Sequence, residues 1–350
     1  MAASTFLDLH FKHQRAINSV SESNKDAYHE DAEKVDWFRS GSTVNHTYLS
    51  MFGGTYHFGN SVEEEHRARV AIARDVAEGR LDFFERPLAL AECAFVSDGP
   101  VVFPFFLDAD IKSPQKRTHE ELLCFAARIV VPAICDTYPN LDRTALRVLV
   151  CAASEPKDLT TQRCTVCGGT DGTDGTEGGP CADVECTGFL ETHPLFKTAV
   201  HYRVWNGHTT CAVAVGSKEA VSITSLIYAR AVGHPEFRTW GDADAWREWC
   251  DVAPILNPVP SLRVLGTVKS SKCHSCGGRK ALVDRCILCG GSGKLVDNRP
   301  YRVVGCVCGD CSRRPPPSGA AALHATSIRF RGPKTPGFTC PEGVPLLMAD

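Results

Sequence analysis

Nowhere in the 350-residue chain does an apolar run approach the ~18 residues that a membrane-crossing helix needs, so a membrane protein is not expected. The N-terminus, Met1-Ala2-Ala3-Ser4-Thr5-Phe6-Leu7, has no basic region ahead of a hydrophobic core, and no secretory signal is expected. Charge of one sign is not in excess either: Lys plus Arg is 38, Asp plus Glu is 41, and the net is −3. Overall charge therefore does not announce a polyanion binder. A G-x-x-x-x-G-K-[ST] loop is missing, which excludes a P-loop motor within these residues. What is left is an average soluble composition, 43% hydrophobic and 23% charged, long enough for two or three domains.

Cysteine is the exception to that average. Eighteen cysteines without a secretory signal point to a reducing intracellular compartment, where they bind zinc or pack as small apolar residues more readily than they form disulfides. Cys273-x-x-Cys276 and Cys286-x-x-Cys289, with nine residues between them, offer the four sulfurs of a closed structural zinc site. Cys164, Cys167, Cys181 and Cys186 could make a second. Cys306, Cys308 and Cys311 are three candidates for a third, with His274 or Cys340 as the fourth ligand. None shows the open position and adjacent base of a catalytic zinc, so all are expected to be structural. The bland alternative is free thiols in a core.

Charge is also unevenly spread. From Arg263 to Lys334 the chain has 14 Lys and Arg against Asp284, Asp297 and Asp310, so its C-terminal quarter is a basic patch. Zinc-bound thiolates would cancel part of that field.

Residues 1–43 read as a poorly ordered lead-in, and Val44 to Phe58 as a hairpin around Gly53-Gly54. A helix is expected from Ser61 to about Gly79. Val101 to Leu107 reads as a strand covered on both faces, followed by a helix that starts at Ser113-Pro114 and is bent or ended by Pro132. Ala145 to Ala153 reads as a second strand, and residues 155–194 as a Cys- and Gly-rich insertion. Lys197 to Trp205 alternates like a strand with His201 and Arg203 on its polar face. Helices are expected around Ala220 to Val232 and Asp242 to Asp251, and a last core strand at Ser261 to Gly266. From Pro315 onward no core element is evident.

The chemistry centres on Phe106-Leu107-Asp108-Ala109-Asp110. Residues i and i+2 of a strand face the same way, so Asp108 and Asp110 can hold one or two divalent cations at the sheet edge. A strand end entering a polar turn looks the same. Two-metal nucleotidyl transfer needs a third carboxylate, for which Asp251 is the choice, together with donors for a triphosphate. His201, Lys197, Arg263, Lys269 and Lys272 supply those; a satisfied core histidine and a solvated basic face are the alternatives.

Taken in order, the Asp108-Ala109-Asp110 strand, Lys197-Thr198-Ala199-Val200-His201, Asp251, Leu262-Arg263-Val264-Leu265-Gly266-Thr267-Val268-Lys269 and the cysteine ribbon resemble the archaeo-eukaryotic primase superfamily. The likeness is to the primase branch of large DNA viruses, including herpesvirus primases and eukaryotic primase-polymerase proteins, and spans roughly residues 44 to 305. His46-Thr47 and Gly53-Gly54-Thr55-Tyr56 look like the lead-in of giant-virus primases. The resemblance implies a two-module α/β (α+β) catalytic core with an RRM-like half at residues 44–270, a zinc-ribbon module at 271–312 and a Pro-rich tail at 313–350. It implies two Mg²⁺ or Mn²⁺ ions on Asp108, Asp110 and Asp251, and the incoming triphosphate on Lys197, His201, Arg263 and Lys269. Implied partners are single-stranded DNA template, nucleoside triphosphates and a replicative helicase on another chain or domain; the viral replication site, host nucleus and cytoplasm stay open. The insertion before the histidine strand and Pro254, Pro258 and Pro260 depart from the pattern. A metal-dependent nuclease and a non-catalytic zinc module that binds nucleic acid or a helicase are the alternative functions.

Overall fold

The computed structural model describes residues 48–50, 55–56, 89–94, 103–144, 146–164, 190–205, 213–240, 249–256, 260–273, 275–277, 286–289, 293–315 and 317–328. The expected lead-in, the helix after Ser61, most of the Asp242 helix, Cys167, Cys181, Cys186, His274 and Cys340 lie outside them.

The first part of the chain contributes strands β1 (Tyr48–Ser50), β2 (Thr55–Tyr56), β3 (Leu90–Cys93), β4 (Phe103–Pro104) and β5 (Phe106–Ser113). Helices α1 (His119–Phe125) and α2 (Val131–Thr137) follow, then β6 (Arg147–Ala153), β7 (Lys157–Asp158), β8 (Thr161–Cys164), β9 (Leu190–His193), β10 (Phe196–Val204) and β11 (Ala214–Val215). The remainder supplies α3 (Ser217–Gly233), β12 (Cys250–Asp251), α4 (Ala253–Leu256), β13 (Ser261–Arg263), β14 (Lys269–Lys272), β15 (Lys294–Asp297), β16 (Tyr301–Cys308), β17 (Arg313–Arg314) and α5 (Gly319–Ala325). This is a mixed α/β chain whose strand pairs are antiparallel.

Its centre is a seven-stranded sheet in the order β12-β5-β10-β6-β16-β17, with β7 also on β10. One face is a continuous apolar layer. Leu107, Ala109 and Ile111 of β5, Val148, Val150 and Ala152 of β6, and Val200, Tyr202 and Val204 of β10 meet Phe125, Ile129, Val130, Ile134, Ile223 and Ile227 from the helices. Phe125 anchors this side, its ring within 5.1–5.4 Å of Tyr202, Phe237, Trp240 and Trp249. The opposite face is covered at one end by a four-stranded sheet in the order β13-β3-β1-β2 and by α5, with Leu90, Leu149, Cys151, Val264, Tyr301, Cys306 and Leu323 buried between them. Its other end carries the charged residues.

Several expectations change here. The first strand is not one run ending in carboxylates. Pro104 has no N–H for a ladder; Phe103–Pro104 pairs with β11, and a new strand starts at Phe106 and carries Asp108 and Asp110 in mid-length, one strand in from the sheet edge. Ser113 ends that strand, and the helix is capped by Thr118, whose Oγ1 accepts from the Glu121 N–H while Glu121 accepts from the Thr118 N–H. That reciprocal pair is a capping box. Pro132 does not end the helix: a π turn over Ala126–Val130, with the Val131 N–H bonded to the Ala126 carbonyl, carries the chain past it into α2. The proline can donate nothing to the carbonyl four residues back, and the wider turn absorbs the misfit.

The hairpin around Gly53-Gly54 is present as Tyr48 opposite Tyr56, and the insertion leaves and returns on a ribbon with Thr161 opposite His193. Ser261–Arg263 is not the last core strand. Tyr301–Cys308, which the cysteine spacing assigns to the zinc module, lies inside the large sheet between β6 and β17. The stretch after Pro315 is not without core either: Ala322, Leu323, Ala325 and Ile328 are buried.

Candidate active site

The charged end of the sheet is assembled by register. On β5 the burial alternates, Leu107, Ala109 and Ile111 being buried while Asp108, Asp110 and Lys112 are half-buried on the other face. Across the β5–β10 pair Asp108 stands opposite His201, Asp110 opposite Ala199 and Lys112 opposite Lys197. Across β5–β12 Asp108 stands opposite Asp251. Opposed residues in a sheet share a face, so the three expected carboxylates, His201 and Lys197 all arise on one side. Asp251, expected to end a helix, is instead a strand residue, held there by β5.

His201 is buried and its protonation is set by its neighbours. Arg203 Nη2 lies 2.9 Å from its Nδ1. A guanidinium only donates, so Nδ1 accepts and the ring proton sits on Nε2, 3.3 Å from Asp108 Oδ1. Burial, helped by the Arg203 and Arg263 charges, pushes the imidazole down to about 4 against the pull of Asp108. Burial would raise the Asp108 carboxyl, but the His201 donor, Arg263 and Lys269 outweigh it and hold Asp108 below the ordinary carboxylate range. The pair is thus a neutral donor facing an ionised carboxylate.

The imidazole is stacked as well as bonded. Tyr301 lies on it with ring centroids 3.9 Å apart and planes 17° from parallel. The Arg263 guanidinium lies 4.2 Å from the Tyr301 centroid on β16. Arg203 donates to the carbonyls of Thr326, at 3.0 Å, and Arg263, while buried Glu92 accepts from Ser327 Oγ and the Ile328 N–H at 2.9 Å each. Residues 326–328 therefore close the back of the site.

Toward solvent, Lys197 Nζ lies 2.5 Å from Asp110 Oδ2. Lys157 of β7 is directly opposite Lys197, and Arg299 pairs with Asp297 nearby. Lys269 is exposed, and Lys272 ends β14 beside Cys273, at the cysteine end of that ribbon. Asp251 Oδ1 accepts from the Ala253 N–H at 2.9 Å. Each carboxylate is thus turned to its own partner, and among the described residues the three do not form a cluster at ligand spacing.

Cys273, Cys276, Cys286 and Cys289 do form one, their sulfurs all within 4.8 Å of one another. Cys273 and Cys286 are 3.7 Å apart at Sγ, and Cys276 and Cys289 are 3.8 Å. Tetrahedral bonds of about 2.3 Å place sulfurs about 3.8 Å apart, and a disulfide would bring them to about 2 Å. The group could hold a metal such as zinc. The Gly293 N–H donates to Cys289 Sγ at 3.2 Å. The Cys286 thiol is pulled down to about 6, chiefly by the Cys289 backbone N–H and the neighbouring sulfurs.

Among the described residues the third set does not assemble. Cys306 and Cys308 are buried on β16, burial pushes the Cys306 thiol up to about 12, and Cys311 Sγ turns to the Ala127 carbonyl at 3.1 Å. The Cys-x-Cys spacing is strand alternation, and Cys311, at φ 62°, makes the turn into β17. Of the second set only the backbone of Cys164 is described, in β8.

The sequence pattern singles out neither Tyr301, Glu92 nor Arg203 as a site residue. Arg203 does carry a signal, two residues from His201 on the same strand face. No family model, curated protein or solved structure matches this chain.

Proposed function

We propose that the chain is a DNA primase or primase-polymerase of the archaeo-eukaryotic type, making primers on single-stranded DNA by metal-assisted nucleotidyl transfer. One observation carries the reading: Asp108, Asp110, His201, Lys197 and Asp251, from three strands distant in sequence, share one face of one sheet. A merely structural use of these residues does not call for that convergence.

The donor set fits the cations. Magnesium and manganese take hard oxygen ligands, and Asp108, held ionised, would supply them together with Asp110 and Asp251. Bound there, the ions would supply charge for the attacking hydroxyl and the departing pyrophosphate. His201 presents Nε2–H as a donor whose proton stays on through neutral pH. Lys197 would leave Asp110 for a phosphate oxygen once a cation takes its place, and Arg263 and Lys269 add positive charge beside Asp108. Zinc on Cys273, Cys276, Cys286 and Cys289 would stiffen the β14–β15 ribbon that carries Lys269 and Lys272.

Incorporation of labelled nucleotides on a single-stranded DNA template, with template degradation scored in the same reactions, tests the reading. New primers made by the wild type support it. Degradation without synthesis would mean a nuclease. Neither product would leave a binding module.

A further inference from the structure

Tyr301 joins His201 to Arg263, although the three come from different parts of the fold. His201 is on β10 and Tyr301 on β16, with β6 between them in the central sheet. Arg263 is on β13 of the covering sheet. Strands lie about 4.8 Å apart, so Tyr301 has to reach across β6 to meet His201. The β6 residues on that face are small: Cys151 stands opposite His201 and Ala153 opposite Tyr301. The imidazole, 17° from parallel at 3.9 Å, occupies one face of the phenol ring. Non-bonded atoms need about 3.5–4.0 Å each, so the Arg263 guanidinium, 4.2 Å from the same centroid, has only the other face. Phe125, the anchor of the larger core, meets other aromatic rings. Tyr301 instead gives both faces to side chains that donate through nitrogen. Its own carbonyl accepts from the Gly266 N–H at 2.8 Å, which ties its backbone to the turn after Arg263.

We propose that Tyr301 is a positioning residue for the triphosphate of a bound nucleotide, holding His201 and Arg263 as two donors at one fixed separation. This rests on the primase reading and adds a selection rule to it. Bonds to Arg203 and Asp108 fix the edges of the imidazole. The phenol ring fixes its plane, and with it the direction of Nε2–H. On the other face the ring gives a long, rotamer-rich arginine one platform, which lowers the cost of ordering it when a ligand binds. Donors set on either side of a ring engage different phosphates of one chain, so the grip favours a triphosphate over a monophosphate.

The test is the anisotropy of a fluorescent ATP with magnesium on the full chain, with unlabelled ATP and AMP as competitors. Tyr301→Met fills the core without a ring and should weaken ATP about tenfold, the worth of one stacked pair, and AMP much less. Tyr301→Phe, which keeps both ring faces, should restore ATP binding. In an Arg263→Gln background Tyr301→Met should cost less than it does alone, because the two act together. The upfield ring-current shift of the His201 ring protons in the wild type reports the stack itself, and its absence would overturn the proposal even if Tyr301→Met fails to fold. Equal ATP affinity in wild type and Tyr301→Met, or an equal loss for ATP and AMP, would also overturn it. Primer synthesis by the wild type in that case would leave the primase reading standing.

Discussion

Asp251 and Asp108 are Cα partners on adjacent antiparallel strands. The two-residue strand that carries Asp251 has Asp108 as its direct neighbour, and the pleat puts both carboxylates on one face. Asp251 meanwhile caps the Ala253 N–H.

Asp251→Asn keeps that cap, because an amide oxygen accepts as a carboxylate does, and removes the charge. Primer synthesis should fall at least about 100-fold, on the scale of losing one charged transition-state contact, with the unfolding free energy within about 0.5 kcal/mol of wild type. Activity assays and urea melts on the same preparations check both. An unchanged rate would remove Asp251 from the metal set.

Acid should weaken the fold through His201. Its folded value, about 4, lies below the ordinary value of about 6.5, so the unfolded chain binds the extra proton. That costs nothing above about pH 6.5 and grows as pH falls toward 4, to at most about 3 kcal/mol. Asp108, held low, adds stability present above its ordinary value and lost only in stronger acid. Urea unfolding at pH 4.5 and pH 7.5 should show the loss in the wild type and less of it in His201→Gln.

Part of this site is legible in the residue pattern alone. The alternation of Leu107, Ala109 and Ile111 with Asp108, Asp110 and Lys112 marks a one-sided strand, and Lys197, His201 and Arg203 show the same period. Asp251 can be picked as an acid but not as a strand residue, since two residues carry no periodicity and β12 exists only because β5 is there to pair. Tyr301 to Cys308 is hidden by its cysteines, whose spacing suits a metal ligand and a buried strand face equally. Glu92 and Ser327 become partners only through the whole fold, so no local window shows residues 326–328 as part of the site.

Arg203→Met should destabilise strongly. It leaves His201 Nδ1 and the Arg263 and Thr326 carbonyls without their donor, and unsatisfied buried acceptors cost about 1–3 kcal/mol each before relaxation. A loss of about 3 kcal/mol in equilibrium unfolding is expected. A variant as stable as wild type would mean that residues 326–328 do not depend on this guanidinium.

Metal content checks the ribbon. Purified protein should hold at least one zinc per chain, and Cys276→Ser should lower it. The seven-stranded sheet does not include β14 and β15, so far-UV circular dichroism of the variant should stay near wild type. Less than about half an equivalent of zinc in the wild type would contradict the four-sulfur assignment.

The central claim is that Asp108 and its neighbours transfer nucleotides on a template. Primer synthesis on single-stranded DNA, resolved to single nucleotides with magnesium or manganese, tests it most directly when wild type and Asp108→Ala run side by side. The account predicts template-dependent products from the wild type and none from the variant; no product from the wild type with either metal, or equal product from both proteins, would contradict it.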